Sequence, residues 1–101
     1  MKLDINTKNF ELGKKTRSLI LKKFRLIIVK HTEGISQDIL SPKLRIERLK
    51  NSSFKTSFNM NLPGRKDIFA EEVDFDLIKA ISSLRDQVKR QIEKIRRRNY
   101  S

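Results

Sequence analysis

Apolar and polar residues change rhythm several times along this chain, and each change marks an element. Over residues 2–8 the period is two, with Leu3, Ile5 and Thr7 on one side and Asp4 and Asn6 on the other. That alternation predicts a strand with one buried face. Over residues 11–30 the period lengthens. Leu12, Thr16, Leu19, Ile20, Phe24, Ile27 and Ile28 gather on one side when placed at about 100° per residue, with Lys14, Lys15, Lys22 and Arg25 opposite. This predicts an amphipathic helix, with Gly34 just beyond its end, where a left-handed backbone is easiest to accommodate.

Residues 33–42 are polar and punctuated by Gly34, Ser36, Asp38, Ser41 and Pro42, and they predict a connecting loop. Alternation returns with Leu44 and Ile46 against Arg45 and Glu47, and Asn51, Ser52 and Ser53 supply the turn of a hairpin. The clearest strand in the chain follows. Phe54, Thr56, Phe58, Met60 and Leu62 alternate with Lys55, Ser57, Asn59 and Asn61. Pro63 and Gly64 predict a second turn, and residues 66–73 a weaker fourth strand with Ile68 and Ala70 among its apolar members.

The last element starts near Asp74 or Asp76, either of which suits a helix N-terminus, and runs toward Arg98. It is expected to be the longest helix. Leu77, Ile78, Ile81, Leu84, Val88, Ile92 and Ile95 form its apolar stripe. Lys79, Arg90, Lys94 and Arg97 project away from the core, and Arg85, Lys89 and Arg96 line one flank. The order β-α-β-β-β-α implies an α+β sandwich, in which a four-stranded, mostly antiparallel sheet carries two helices on one face. With 101 residues, the chain is read as one domain spanning residues 1–101.

Charge gives this fold a direction. Lys and Arg number 24 against 12 Asp and Glu, a formal net charge of +12. Such an excess repels itself in the free protein and is relieved by a polyanion, which points to nucleic acid or an anionic membrane. Two helices with cations off their buried stripes would present a joint basic surface to phosphates on either side of a groove. Phosphate contacts carry affinity and not sequence, so this surface suits recognition of RNA by shape. The plainer reading is that the cations merely solvate two helix faces. With Phe24, Phe54 and Phe58 assigned to buried positions, little aromatic surface is expected to remain for base stacking, and Tyr100 is expected to lie in a frayed tail.

Other chemistries find little support. The chain has no cysteine and a single histidine, His31, with no glycine-rich phosphate loop and no metal-ligand cluster. Glu71 and Glu72 are adjacent on a strand and so point to opposite faces, unfit to share a proton-transfer role. No enzymatic activity, metal or cofactor is expected. The longest uninterrupted apolar run, residues 26–29, is far too short to cross a membrane, and the apolar stripes are needed by the sheet. The first residues lack a signal-peptide core, which leaves a cytoplasmic location and no membrane partner as the expectation.

Several of these positions resemble a known family. Leu62, Pro63 and Gly64, then Ile68 and Ala70, then Asp76, Ala80, Ile81, Leu84, Asp86, Arg90, Gln91 and Ile92 stand at the spacing of the bacterial hibernation promoting factors and the related ribosome-associated inhibitor. These make up the sigma-54 modulation protein family. Leu3, Ile5, Asn9, Phe10, Glu11, Leu12, Arg17, Lys23 and Phe24 resemble its N-terminal half. The connection between Phe24 and Arg45 is several residues longer than the family pattern.

The resemblance implies a fold similar to double-stranded RNA-binding domains, docked between the head and body of the small ribosomal subunit. There the protein would silence idle ribosomes by excluding messenger and transfer RNA. It places Arg85, Lys89, Arg90 and Lys94 of the second helix, and Lys22, Lys23 and Arg25 of the first, against small-subunit rRNA. Lys79, Arg96 and Arg97 join them as further cations of the same helix faces. Neighbouring ribosomal proteins would be the other partners, and the free protein is expected to be a monomer. The chain ends soon after the second helix, so neither the extra domain of long-form relatives nor the tail of inhibitor-type relatives is expected. A constitutive ribosomal or RNA-scaffold protein is the alternative, since the same basic sandwich would serve it.

Overall fold

A computed structural model of the chain describes residues 3–31, 40–62 and 66–100, the side chains of residues 31, 66 and 96–100 excepted. Six elements follow in the order β1 (Asp4–Lys8), α1 (Lys14–His31), β2 (Lys43–Arg48), β3 (Phe54–Leu62), β4 (Lys66–Asp74) and α2 (Leu77–Tyr100). The strands form one sheet in sequence order. β1 runs parallel to β2, and the β2–β3 and β3–β4 pairs are antiparallel. The parallel pair is the one whose connection contains a helix, as a parallel crossover requires.

Alternation along the strands divides the sheet into two unlike faces. Ile5, Leu44, Ile46, Phe58, Met60, Ile68 and Ala70 are buried on the face that the helices cover. Register places Leu44 between Ile5 and Phe58, and Phe58 between Leu44 and Ala70, so the apolar rows are continuous across strands. From α1 come Ile20, Phe24, Ile27 and Ile28, and from α2 Ile81, Leu84, Val88 and Ile92, all in the same core. Phe24 of α1 stacks on Phe58 of β3, with ring centroids 5.2 Å apart. Leu40 is also fully buried in this core.

Buried polar groups in the sheet are paired. Thr56 donates its hydroxyl to the Glu72 carbonyl at 3.1 Å. Ser53 donates both its backbone N–H and its hydroxyl to Asn51 Oδ1, at 3.1 and 2.6 Å. That Asn-centred turn, with Ser52 at a φ of 69°, closes the β2–β3 hairpin where the Asn-Ser-Ser sequence predicted it.

Element ends also have chemical causes. Asp76 caps α2, its Oδ1 accepting the Ile78 and Lys79 N–H groups at 2.9 and 3.3 Å. Asp74 acts one step earlier and accepts the Asp76 N–H at 2.8 Å. α1 starts at Lys14, later than residue 11 as periodicity suggested. Its first turn closes on Gly13, whose carbonyl accepts the Arg17 N–H at 2.9 Å, and Leu12 packs on the core from outside the helix.

Three expected core positions face solvent. Leu19 is 41% exposed and Ile78 38%. Each lies about 100° from a residue that does pack, Ile20 and Leu77, and so falls on a flank just outside the stripe. Ala80 is buried on α2 as well. Thr7, at the end of the short edge strand β1, is exposed. The expected Gly34 helix end, most of the loop over residues 33–42, and the Pro63-Gly64 turn lie outside the described residues.

The aromatic stack makes the core sensitive at one point. Phe58→Ala is expected to lose about 3–5 kcal/mol of unfolding free energy, whereas Asp76→Ala, which removes only the cap, should cost roughly 1 kcal/mol. Urea denaturation followed by circular dichroism reads both.

Candidate nucleic-acid interface

The two helices carry the charge of the molecule. α1 holds seven Lys and Arg and no acidic residue, and α2 holds eight against two acidic ones. Together they have a net charge of +13, so all remaining residues sum to −1 in a chain of +12. Because each helix must turn its apolar stripe to the sheet, these cations have nowhere to go but the sides and the back of the helical layer.

Within that layer the expected residues take distinct places. Lys22 and Arg25 are exposed on the outward stripe of α1. Lys15, which was not among the expected contacts, lies on the same stripe, one heptad from Lys22. With Ser18, Leu19 and Leu21 these three cations line a shallow groove of about 460 Å³. Lys23 is half-buried at the seam between the helices, where its Nζ donates to Ser82 Oγ of α2 at 3.5 Å.

On α2, Lys79, Arg90 and Lys94 are exposed and project outward as their spacing predicted. Arg85 and Lys89 share the Ser82 flank of the helix, and therefore border the seam with α1. Lys89 is exposed, and Arg85 is half-buried and bonds Asp86 Oδ1 through Nη2 at 3.0 Å and Nε at 3.3 Å. Arg96 and Arg97 lie in the last turns of α2, and their side chains are outside the described residues. Among the described residues, Arg85 is the sole helix cation in an ion pair. The structure thus brings Lys23, Arg85 and Lys89 together around the seam, with Lys22 and Arg25 to one side and Lys79, Arg90 and Lys94 to the other.

From Lys79 to Lys94 the α2 cations span about 22 Å at 1.5 Å per residue. A row of cations of that length, with only Asp86 and Glu93 as acidic residues in its span and the cations of α1 beside it, suits a phosphate backbone better than a small anion. Among the described residues no group of His, Cys, Asp or Glu could hold a metal ion, and no helix is long and apolar enough to cross a membrane.

Comparison with known proteins adds the context. The model of the family described as sigma 54 modulation protein / S30EA ribosomal protein matches residues 3–100. The chain belongs to this family. Its fold is shared with a ribosomal subunit interface protein from Coxiella burnetii, at 20% identity and a TM-score of 0.76, over 95% of this chain and 98% of that one. It is shared equally with the N-terminal domain of Thermus thermophilus Protein Y, at 22% identity and a TM-score of 0.77, over 94% and 99%. No curated protein is matched by sequence alone.

Aromatic surface is where the sequence reading missed most. Phe69 and Phe75 are 58% and 69% exposed. The signal for Phe69 was present, since a residue between inward-facing Ile68 and Ala70 must face outward.

Salt dependence measures the ridge directly. Replacing Lys89, Arg90 and Lys94 together with Ala should reduce the slope of log affinity against log salt for duplex RNA by about 2–3 units, close to one per lost phosphate contact. Filter binding between low and moderate salt checks it, with circular dichroism confirming the unchanged fold.

Proposed function

We propose that this protein is a ribosome hibernation factor. It binds small-subunit rRNA in the decoding channel, excludes messenger and transfer RNA, and keeps idle ribosomes inactive. The observation that carries the reading is the placement of essentially the whole net charge on two helices covering one face of a sheet, in a member of a ribosomal-protein family. The protein catalyses no reaction in this reading. It acts by competitive occupancy, as a packed wedge measuring 44 × 22 × 19 Å.

Physically, the helical side approaches rRNA first. Lys22, Arg25, Lys79, Lys89, Arg90 and Lys94 are exposed and exchange condensed counterions for direct phosphate contacts, so their contribution is paid in released ions and falls with salt. Arg96 and Arg97, in the last turns of α2, are the further cations assigned to rRNA in this reading. Lys23 and Arg85 are held by Ser82 and Asp86, so they sit at fixed positions in the seam and set register more than affinity. The rigid core behind them supplies the bulk that other RNAs would have to displace. Ribosomal proteins bordering the channel would meet the flanks of the wedge, and the protein would work as a cytoplasmic monomer.

Co-sedimentation with isolated ribosomal subunits tests the reading. Saturable binding to the small subunit, near one to one and displaced by messenger and transfer RNA, is the expected result. Replacing Arg85, Lys89, Arg90 and Lys94 with Ala should abolish it at moderate salt. Equal, salt-labile binding to both subunits, or unchanged affinity of the folded variant, would overturn it.

A further inference from the structure

The face of the sheet turned away from the helices has a composition of its own. Lys8, Glu47, Lys55 and Glu71 stand toward its margins and cancel in pairs, Lys8 with Glu47 at 3.9 Å and Lys55 with Glu71 at 3.6 Å. Between them lies a concavity of about 250 Å³ lined by Asn6, Lys43, Arg45, Ser57, Asn59 and Phe69. Its floor is the backbone of Leu44 and Phe58, whose side chains are buried in the core on the opposite face. No acidic side chain lines it, and neither Lys43 nor Arg45 is in an ion pair among the described residues.

Register fixes this arrangement. Asn59 lies directly opposite Phe69 on one side and Lys43 on the other, and Arg45 lies between Asn6 and Ser57. Neighbouring side chains on one sheet face are held a few ångströms apart. A stacking surface, amide and hydroxyl groups, and two free cations are therefore within the reach of one small ligand.

We propose that this face binds an unpaired nucleotide, with its base stacked on the Phe69 ring and its phosphate between Lys43 and Arg45. Three features select that chemistry. An exposed aromatic ring on a sheet accepts any base through its π-face. Asn6, Asn59 and Ser57 offer both donors and acceptors to a base edge or ribose. Lys43 and Arg45 take the negative charge that a neutral aromatic ligand would lack. A protein partner is less well served, because the apolar part of the concavity is a single ring, whereas protein interfaces form around larger apolar centres. The nucleotide could belong to a single-stranded RNA segment or be free in solution. The site lies on the sheet face opposite the helices, so it is independent of the ribosomal reading.

Nuclear magnetic resonance titration separates these cases, with adenosine 5′-monophosphate in one arm and a hexa-adenylate single strand in the other. Expected are saturable shifts of the Phe69 ring and of the Asn6 and Asn59 side-chain amides. Shifts with both probes indicate a site for a free nucleotide, and shifts with the hexanucleotide alone indicate one for a strand. Phe69→Ala should weaken binding about tenfold or more, Phe69→Tyr should retain it, and Lys43→Ala with Arg45→Ala should flatten its salt dependence. The Lys89, Arg90 and Lys94 triple Ala variant should keep the sheet-face shifts while losing duplex RNA. Shifts confined to the helices, or sheet-face shifts that survive Phe69→Ala, would overturn the proposal and leave the helical surface as the nucleic-acid interface.

Discussion

Covering one apolar sheet face with two helices is the constraint from which the rest of this molecule follows. Phe58 sits at its centre, flanked across the strands by Leu44 and Ala70 and stacked beneath Phe24 of α1. A sheet row of this kind is stable only when an opposing layer excludes water from it. Once Ile20, Phe24, Ile27 and Ile28 of α1 and Ile81, Leu84, Val88 and Ile92 of α2 are committed to that layer, the remaining positions of both helices point sideways or outward. The cationic surface is thus a geometric consequence of the core, and its charges oppose one another with few internal partners. Burial holds together a helical layer that electrostatics alone would push apart.

Gln87 and Gln91 show how the same layer protects the sheet's edge. Gln91 accepts from the Phe69 N–H at 3.3 Å and donates to the Phe69 carbonyl at 2.7 Å, so one side-chain amide answers the backbone as a neighbouring strand would. Gln87 donates to Glu72 Oε1 at 2.9 Å and reaches the Glu71 carbonyl at 3.5 Å. An exposed edge strand invites pairing with other chains. Here the flank of α2 that faces away from α1 occupies part of it, while the opposite flank carries Arg85 and Lys89. The two sides of one helix therefore do different work, set by whether their neighbour is a strand or a helix.

Most of the architecture was legible because its signals are local. Period-two alternation in residues 54–62 identified β3, Asp74 and Asp76 bracketed the start of α2 with Asp76 proving the cap, and Asn51 with the two serines marked the hairpin turn. The features that local signals did not carry are of three physical kinds. Leu19 and Ile78 fit the helical period but fall outside the packed stripe, because stripe width depends on the curvature and spacing of the opposing sheet, which periodicity does not contain. The parallel pairing of β1 at the sheet edge, and the seam that joins Lys23 to Ser82 across 59 positions, are contacts between distant segments. The Arg85–Asp86 pair was hidden for another reason: adjacent helix residues do not face one another, and only the length of the arginine lets it fold back.

The open face of the sheet was the least legible part and has the clearest internal logic once seen. A strand's outward residues are free of packing demands, so what occupies them reports other pressures. Solubility alone would be met by any polar set, and the paired charges Lys8–Glu47 and Lys55–Glu71 are of that kind. An aromatic ring at Phe69 works against solubility, and unpaired Lys43 and Arg45 add to an excess charge that already strains the free protein. Each is individually tolerable on a surface. Their convergence over the Leu44 and Phe58 backbone, with no acidic side chain in the lining although Asp4 and Glu71 border it across the strands, is what distinguishes this concavity from a solvated sheet face. The helical side has the charge and length that suit phosphates along a ridge; the open side has the composition to take one base at a time.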